Sequence, residues 1–248
     1  MFSTLMYHEI RRAKEFDPEH PSSIDVRQDY NDILPSPLFI TLEKFEEQMA
    51  FLRMNRYHTL SLEEVKGYFH RKERLPGRSV LLTFDDCYQS VKKYAYPVLK
   101  QFGFHAVAFV VTGWLHNKPK EFNPGKSVCM AGEELAEMAD VFEYANHTDS
   151  FHRRTDETTS IITETGDEEF SRDLDACNES GYIQAKDVFA YPFGLYNERN
   201  VALLNKKGFL LAFTSESGFN DENTHPLLLK RNAVPYFISP DAFKETIG

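Results

Sequence analysis

Residues 79–86 read SVLLTFDD, an unbroken apolar run that ends on two adjacent carboxylates, Asp85 and Asp86. A strand with one wet face alternates apolar and polar side chains, whereas a strand buried on both faces reads as a continuous run. Ser79–Phe84 is therefore expected to be an inner strand of a parallel sheet. Neighbouring carboxylates repel, and each raises the cost of ionising the other. A pair at the end of a buried strand calls for a helix N-terminus, a cation or an acid–base task.

Outward from that strand the chain repeats strand and then helix. Phe2–Tyr7, Ala106–Val111, Phe142–Ala145, Val188–Ala190 and Leu210–Phe213 read as further strands. From Thr41, apolar residues at Leu42, Phe45, Met49 and Leu52 form a helical stripe. Ser61 and Glu64 have capping-box spacing ahead of Leu62, Val65 and Phe69. Residues 89–102 read as a helix closed by Gly103, with others around Glu133–Ala139, over Ser171–Glu179 and over Asn200–Lys207. The acidic stretch 156–169 reads as the start of a solvated helix. Residues 11–40, polar and with prolines at 18, 21, 35 and 37, read as a long lid-like excursion. Alternating units of this kind give an α/β fold with a parallel sheet and helices outside it. Both a (β/α) barrel, typically about 250 residues, and an open doubly wound sheet suit the length, with about seven strands. In either, functional groups belong at the C-terminal strand ends.

Composition narrows the function classes. With 42% hydrophobic residues and 21 phenylalanines the chain can fill a large core. A formal charge of −10 argues against nucleic acid as a partner. No apolar run is long enough to span a bilayer. Three widely spaced cysteines, Cys87, Cys129 and Cys177, form neither a disulfide framework nor a thiolate zinc site. There is no GxSxG elbow, no GxxxxGK[ST] loop and no GxGxxG turn. Cys87 lies beside two carboxylates that disfavour its thiolate, which argues against a cysteine nucleophile.

The unusual residues fall at expected strand ends: His8, Asp85, Asp86, His147 and the turn Pro192-Phe193-Gly194. Asp86 with His147 and His152 would give two imidazoles and one carboxylate, leaving an open position on a zinc-like ion as catalytic sites do. The histidines are five apart, a spacing suited to a loop leaving a strand. A cation at Asp86 would offset the repulsion within the pair and leave Asp85 free as a general base. His8 could project into the same mouth as a general acid, and backbone N–H groups of the 192–194 turn could hold an oxyanion.

On these residues the chain resembles the polysaccharide deacetylases of carbohydrate esterase family four, over most of its length. Thr83-Phe-Asp-Asp86 looks like the first motif of that family, His147-Thr148…His152 like the second, and Tyr191-Pro-Phe-Gly194 like the third. The five-residue histidine spacing, the AYPFG form of the third motif and Tyr7-His8 near the N-terminus are most similar to the poly-β-1,6-N-acetylglucosamine deacetylases. The resemblance implies one catalytic domain over residues 1–248 on a distorted (β/α) barrel of about seven parallel strands. It implies Asp86, His147 and His152 as ligands of a divalent metal, most plausibly zinc. It also implies Asp85 as base, Phe193 as oxyanion donor through its N–H and His8 as the acid that protonates the departing amine.

Tyr88, Trp114, Pro192 and Tyr196 are the expected contacts for a polysaccharide or oligosaccharide substrate. Cys87 stands where the family usually has glycine, and a β-carbon there would crowd the substrate or alter the backbone. The arginine common before the proline of the third motif is missing, so no motif supplies a group to orient Asp85. Two other readings stand beside this one: an O-deacetylase or small-molecule amidase on the same scaffold, and, motivated by these departures, a catalytically weak carbohydrate-binding protein. MFSTLMYHEI has neither a basic n-region nor a long apolar h-region. Taken alone it implies the cytoplasm, whereas the nearest subgroup acts outside it, at the cell surface or secreted, as this chain would if it is part of a longer one.

Overall fold

The computed structural model of the protein describes residues 1–20, 22–30 and 32–248, so Pro21 of the excursion lies outside the described residues. The main sheet contains β1 (Phe2–Tyr7), β2 (His58–Thr59), β3 (Ser79–Asp85), β4 (Ala106–Val110), β5 (Phe142–Asn146), β6 (Ala185–Ala190), β7 (Leu211–Phe213), β8 (Phe219–Asn220) and β9 (Asn232–Ala233). Its order is β7-β6-β5-β4-β3-β1-β8, with short β2 beside the start of β3 and β9 alongside β1. All pairings are parallel except β1 with β8. The segment after β8 spans the gap between the two ends of the curled sheet. Leu229 donates to the Ala212 carbonyl beside β7, and Val234 donates to the Met6 carbonyl of β1. The result is a distorted (β/α) barrel of about seven parallel staves, as expected.

Side-chain parity within the strands explains both the apolar runs and the position of the site. In β3, Val80, Leu82 and Phe84 pack outward with Phe45, Met49 and Leu52 of α1 (Leu42–Met54) and with Leu99 of α3 (Tyr96–Phe102). Leu81 points the other way, into an interior cluster with Val107, Phe109, Ala145, Val188, Ala190 and Phe213. Leu62 and Val65 of α2 (Leu62–Arg71) and Phe2 join that interior cluster. Successive strand residues alternate faces, so Asp85 inherits the inward parity of Leu81. His8 likewise inherits that of Phe2 and Met6, and His147 that of Ala145. Chemistry-bearing residues are thus the top layer of side chains inside the barrel.

Helix starts follow their caps. Thr41 accepts from the Lys44 N–H at α1, and Ser61 with Glu64 forms the reciprocal box at α2. Three expectations are corrected. The helix over 89–102 opens as a wide π-turn at Val91–Ala95 before α3, because Pro97 has no N–H to donate into an α-turn. The 156–169 stretch does not open as one helix: residues 156–160 are irregular, and a single short turn, α5 (Ile161–Glu164), comes before the helix that begins at Asp167. That turn follows α4 (Gly132–Ala136) in the chain and precedes α6 (Asp167–Glu179), which starts from an N-cap at Gly166. The excursion is not a loose lid. Glu9–Arg11 pairs with Phe39–Thr41, and Ser22–Ile24 pairs with both Ile33–Leu34 and Lys126–Ser127. After β7 the sequence offered no periodic run, yet β8, β9 and α8 (Pro240–Ile247) form there; α7 (Glu198–Lys206) lies before it.

Candidate active site

The turn that follows β3 separates the two aspartates. Asp86 and Cys87 both have left-handed backbone, at φ 70 and 54, a conformation costing an L-residue roughly 1–2 kcal/mol. The Asp86 N–H bonds the Phe109 carbonyl at 3.2 Å, which ties the turn to β4. The bend sends the Cys87 side chain away from the cleft into the outer core, with Sγ 3.9 Å from the Phe109 carbonyl oxygen. Burial and the two aspartates push its thiol pKa well up. The expectation that Cys87 crowds a substrate is thereby corrected: its β-carbon belongs to the core.

Asp85 and Asp86 meet opposite surroundings. Asp85 Oδ1 accepts a hydrogen bond from Arg231 Nη1 at 2.6 Å, and Arg231 Nε donates to the Thr214 carbonyl. Asp85 Oδ2 lies 3.8 Å from His8 Nε2 and 3.9 Å from His147 Nε2. Burial alone would raise the Asp85 pKa, but Arg231, His147 and His8 together outweigh it and hold it at about 2. For Asp86, burial and the charge of Asp85 act in the same direction and push its carboxyl well above the usual range.

Asp86 Oδ1 is buried without a hydrogen-bond partner, 3.7 Å from His147 Nε2 and 3.5 Å from His152 Nε2. His147 Nδ1 is 2.8 Å from the Ala190 carbonyl oxygen, so Nδ1 carries the proton and Nε2 offers a lone pair. Burial lowers the pKa of both imidazoles, which keeps them neutral. Asp86, His147 and His152 each present a ligand atom within 4.8 Å of the others. An orphaned carboxylate oxygen facing two neutral imidazole nitrogens is a donor set that fits a divalent cation.

The loop between the histidines is held from behind by α6. Asp173 accepts from the Asp149 N–H at 2.9 Å, the Ser150 N–H at 2.8 Å and the Ser150 hydroxyl at 2.9 Å. Thr148, at φ 78, donates its N–H to Asn146 Oδ1 at 2.8 Å. The His152 ring is wedged between Trp114, His147 and Phe193, with centroid distances of 4.6, 4.6 and 4.3 Å. Beyond β6, Phe193 has left-handed backbone at φ 59. Gly194 follows at φ 71, where a β-carbon would collide with the Ser215 hydroxyl.

These groups line a cleft of about 220 Å³ together with Met6, Gln28, Leu34, Pro35, Leu38, Arg154, Ser215 and Arg231. Six of the expected site residues, His8, Asp85, Asp86, His147, His152 and Phe193, are brought together on its wall. The four expected sugar contacts are not. Tyr88 is fully buried with Leu34, Phe39 and Trp114 under the excursion. Trp114 backs His152 from that same cluster. Pro192 is buried, and Tyr196 packs on Tyr191 and donates its hydroxyl to Glu216. Ile24, Val26, Leu34, Leu38 and Phe39 of the excursion pack with Tyr88 and Trp114, a long-range contact that no local pattern encodes. Arg231, which pairs with Asp85, had no sequence signal either.

A family profile described as polysaccharide deacetylase matches residues 72–212. The chain belongs to that family. Among its curated relatives, the poly-beta-1,6-N-acetyl-D-glucosamine N-deacetylase of Staphylococcus aureus is 26% identical over 251 residues, covering 98% of this chain and 80% of its own. The putative polysaccharide deacetylase YxkH of Bacillus subtilis is 25% identical, covering 91% of this chain and 76% of its own. In fold, this polysaccharide deacetylase domain is similar to the Streptococcus pyogenes deacetylase PplD. That match has a TM-score of 0.74 and 22% identity, and it covers 100% of this chain and 99% of the other. The fold is also similar to that of IcaB from Ammonifex degensii, with a TM-score of 0.71 and 24% identity over 99% of this chain and 95% of the other.

Proposed function

We propose that the protein removes N-acetyl groups from an N-acetylglucosamine-containing polysaccharide, releasing acetate, and that it depends on a divalent metal, most plausibly zinc. One observation carries the reading: two adjacent carboxylates with different tasks. Asp85 is clamped by Arg231 and ionised, as a base must be, while Asp86 points an unpartnered oxygen at two neutral imidazoles, as a ligand must. The names of the relatives support an amide of N-acetylglucosamine as the target.

In this reading Asp86, His147 and His152 would hold the cation, which would supply Lewis acidity to the reaction. Asp85 takes a proton from the attacking water through Oδ2. The N–H of Phe193 donates to the oxyanion as the carbonyl carbon becomes tetrahedral. His8 delivers a proton to the departing nitrogen as the C–N bond breaks. Burial holds the His8 imidazole down at about 4, so it is neutral at rest and gains its proton during turnover. Asp85 Oδ2, 3.8 Å from Nε2, is the source. Residues 1–248 act as one catalytic unit, since the groups come from both halves of the chain.

The features that favoured a catalytically weak protein lose their force, because Cys87 faces the core and Asp85 has an arginine. The test is acetate release from β-1,6-linked N-acetylglucosamine oligomers by chelator-stripped protein, before and after zinc is restored. Activity should vanish and return, and Asp85→Asn should keep the metal and lose about 10²–10⁴-fold in turnover. A fully active Asp85→Asn enzyme would overturn the assignment.

A further inference from the structure

Among the described residues, Arg154 is the one arginine or lysine on the cleft wall that the proposed chemistry does not use. Its guanidinium carbon lies 4.8 Å from the Phe193 ring centroid and 5.2 Å from that of Tyr30. Its backbone is pinned on both sides, by bridges to Asp29 and to Ser160 and by the N–H bond to the Gln28 carbonyl at 3.1 Å. Nearby Asp29 is already taken by Arg153 at 2.9 Å and by Arg27 at 2.7 Å. Among the described residues no carboxylate pairs with Arg154 and no side-chain hydrogen bond satisfies it, and its Nε is buried without a partner. This happens in a chain where 38 acidic residues outnumber 28 basic ones. An arginine left unpaired beside two aromatic rings keeps its terminal nitrogens free for in-plane, two-point bonds, the geometry that matches a carboxylate or a phosphate.

Building on the proposed deacetylase reading, we propose that Arg154 is an anion subsite beside the reaction centre, so that the preferred glycan carries a carboxylate or phosphate next to the N-acetyl group removed. The position follows from Phe193: a cation lying over the ring of the proposed oxyanion donor reaches substituents of the reacting sugar or its immediate neighbour. The overall charge of −10 disfavours a dense polyanion, so the fit is to isolated anionic substituents on an otherwise neutral chain. Leu34, Pro35 and Leu38 give the same cleft an apolar part, and a charge pair made out of bulk water is strengthened.

The test uses β-1,6-linked N-acetylglucosamine tetramers in three forms: neutral, with one 3-O-lactyl carboxylate, and with one 3-O-phosphate. Their binding is measured by calorimetry to zinc-loaded Asp85→Asn protein, with and without Arg154→Gln or Arg154→Lys. At least one anionic tetramer should bind about tenfold more tightly than the neutral one. The ratio should collapse toward one in Arg154→Gln and survive in part in Arg154→Lys, and the better of the two anions identifies the group. Equal binding of all three tetramers, or a ratio unchanged in both variants, overturns the subsite. Because binding is read without turnover, absence of acetate release from wild-type protein would count against the deacetylase reading and leave this result standing.

Discussion

Arg231 donates to Asp85 at 2.6 Å across 146 positions of sequence, and the two side chains are only 1% and 4% exposed. In the proposed mechanism this pair stands in for the missing third-motif arginine, from the residue just before β9.

Removing the partner of a buried charge is costly, so Arg231→Met should lose about 3–5 kcal/mol of stability. Arg231→Lys keeps a charge but cannot hold both Asp85 and the Thr214 carbonyl. A base works above its pKa, and Asp85 is held at about 2. Weakening the clamp raises that value, so the acid limb of the kcat/KM profile should move to higher pH in Arg231→Lys. An unmoved limb would mean that Arg231 does not set the base.

Asp173 touches no proposed ligand, yet it fixes the loop between two of them through three hydrogen bonds. Asn at 173 replaces one acceptor oxygen with a donor facing a buried N–H. Zinc affinity, read by competition with a chelating dye, should fall about 10–100-fold. His147→Ala should lose stoichiometric binding altogether. Unchanged zinc stoichiometry there would remove His147 from the ligand set.

Stability of the metal-free protein should fall on mild acidification. The His8 pKa is lowered from the ordinary 6.5 to about 4 by burial, which Asp85 only partly offsets. Between those values the unfolded chain binds a proton that the native one does not, so stability is full above pH 6.5 and declines as pH drops toward 4. His8 alone accounts for about 3 kcal/mol at most. His147 and His152 act in the same direction, and Asp86, held up, acts in the opposite one. Urea midpoints at pH 7 and pH 5 measure the drop, which His8→Gln should reduce. An equal drop in that variant would locate the charge change elsewhere.

Cys87→Gly should leave both KM and stability close to wild type. Relief of left-handed strain, about 1–2 kcal/mol, is offset by loss of a buried side chain of similar worth. A large fall in KM would show that the Cys87 side chain reaches the cleft after all.

What the sequence displayed was local. The apolar runs, the Ser61–Glu64 cap and the residues at strand ends point to six cleft groups: parity along a strand carries His8, Asp85 and His147 to one rim, while Asp86, His152 and Phe193 reach it on the turns and loops beyond the strand ends. What it concealed was tertiary. Arg231 sits in a stretch with no periodic pattern, and its role exists only once β9 lies beside β1. Tyr88 and Trp114 read as sugar-facing because nothing in residues 22–39 announces that this segment covers them. The 156–169 stretch read as helix from its composition, whereas Gly166 sets the actual start.

The cleft draws on positions 8, 85, 147, 152, 193 and 231, and its last contributor arrives on the segment that joins the two margins of the sheet. No partly folded form of the chain can therefore be partly active. Pairings between distant positions form slowly, so in a refolding experiment the helical signal should return first and turnover last. Enzymatic activity is in this protein a gauge of ring closure, and any influence that loosens the join between β7 and β1 will silence the chemistry while leaving every proposed ligand intact.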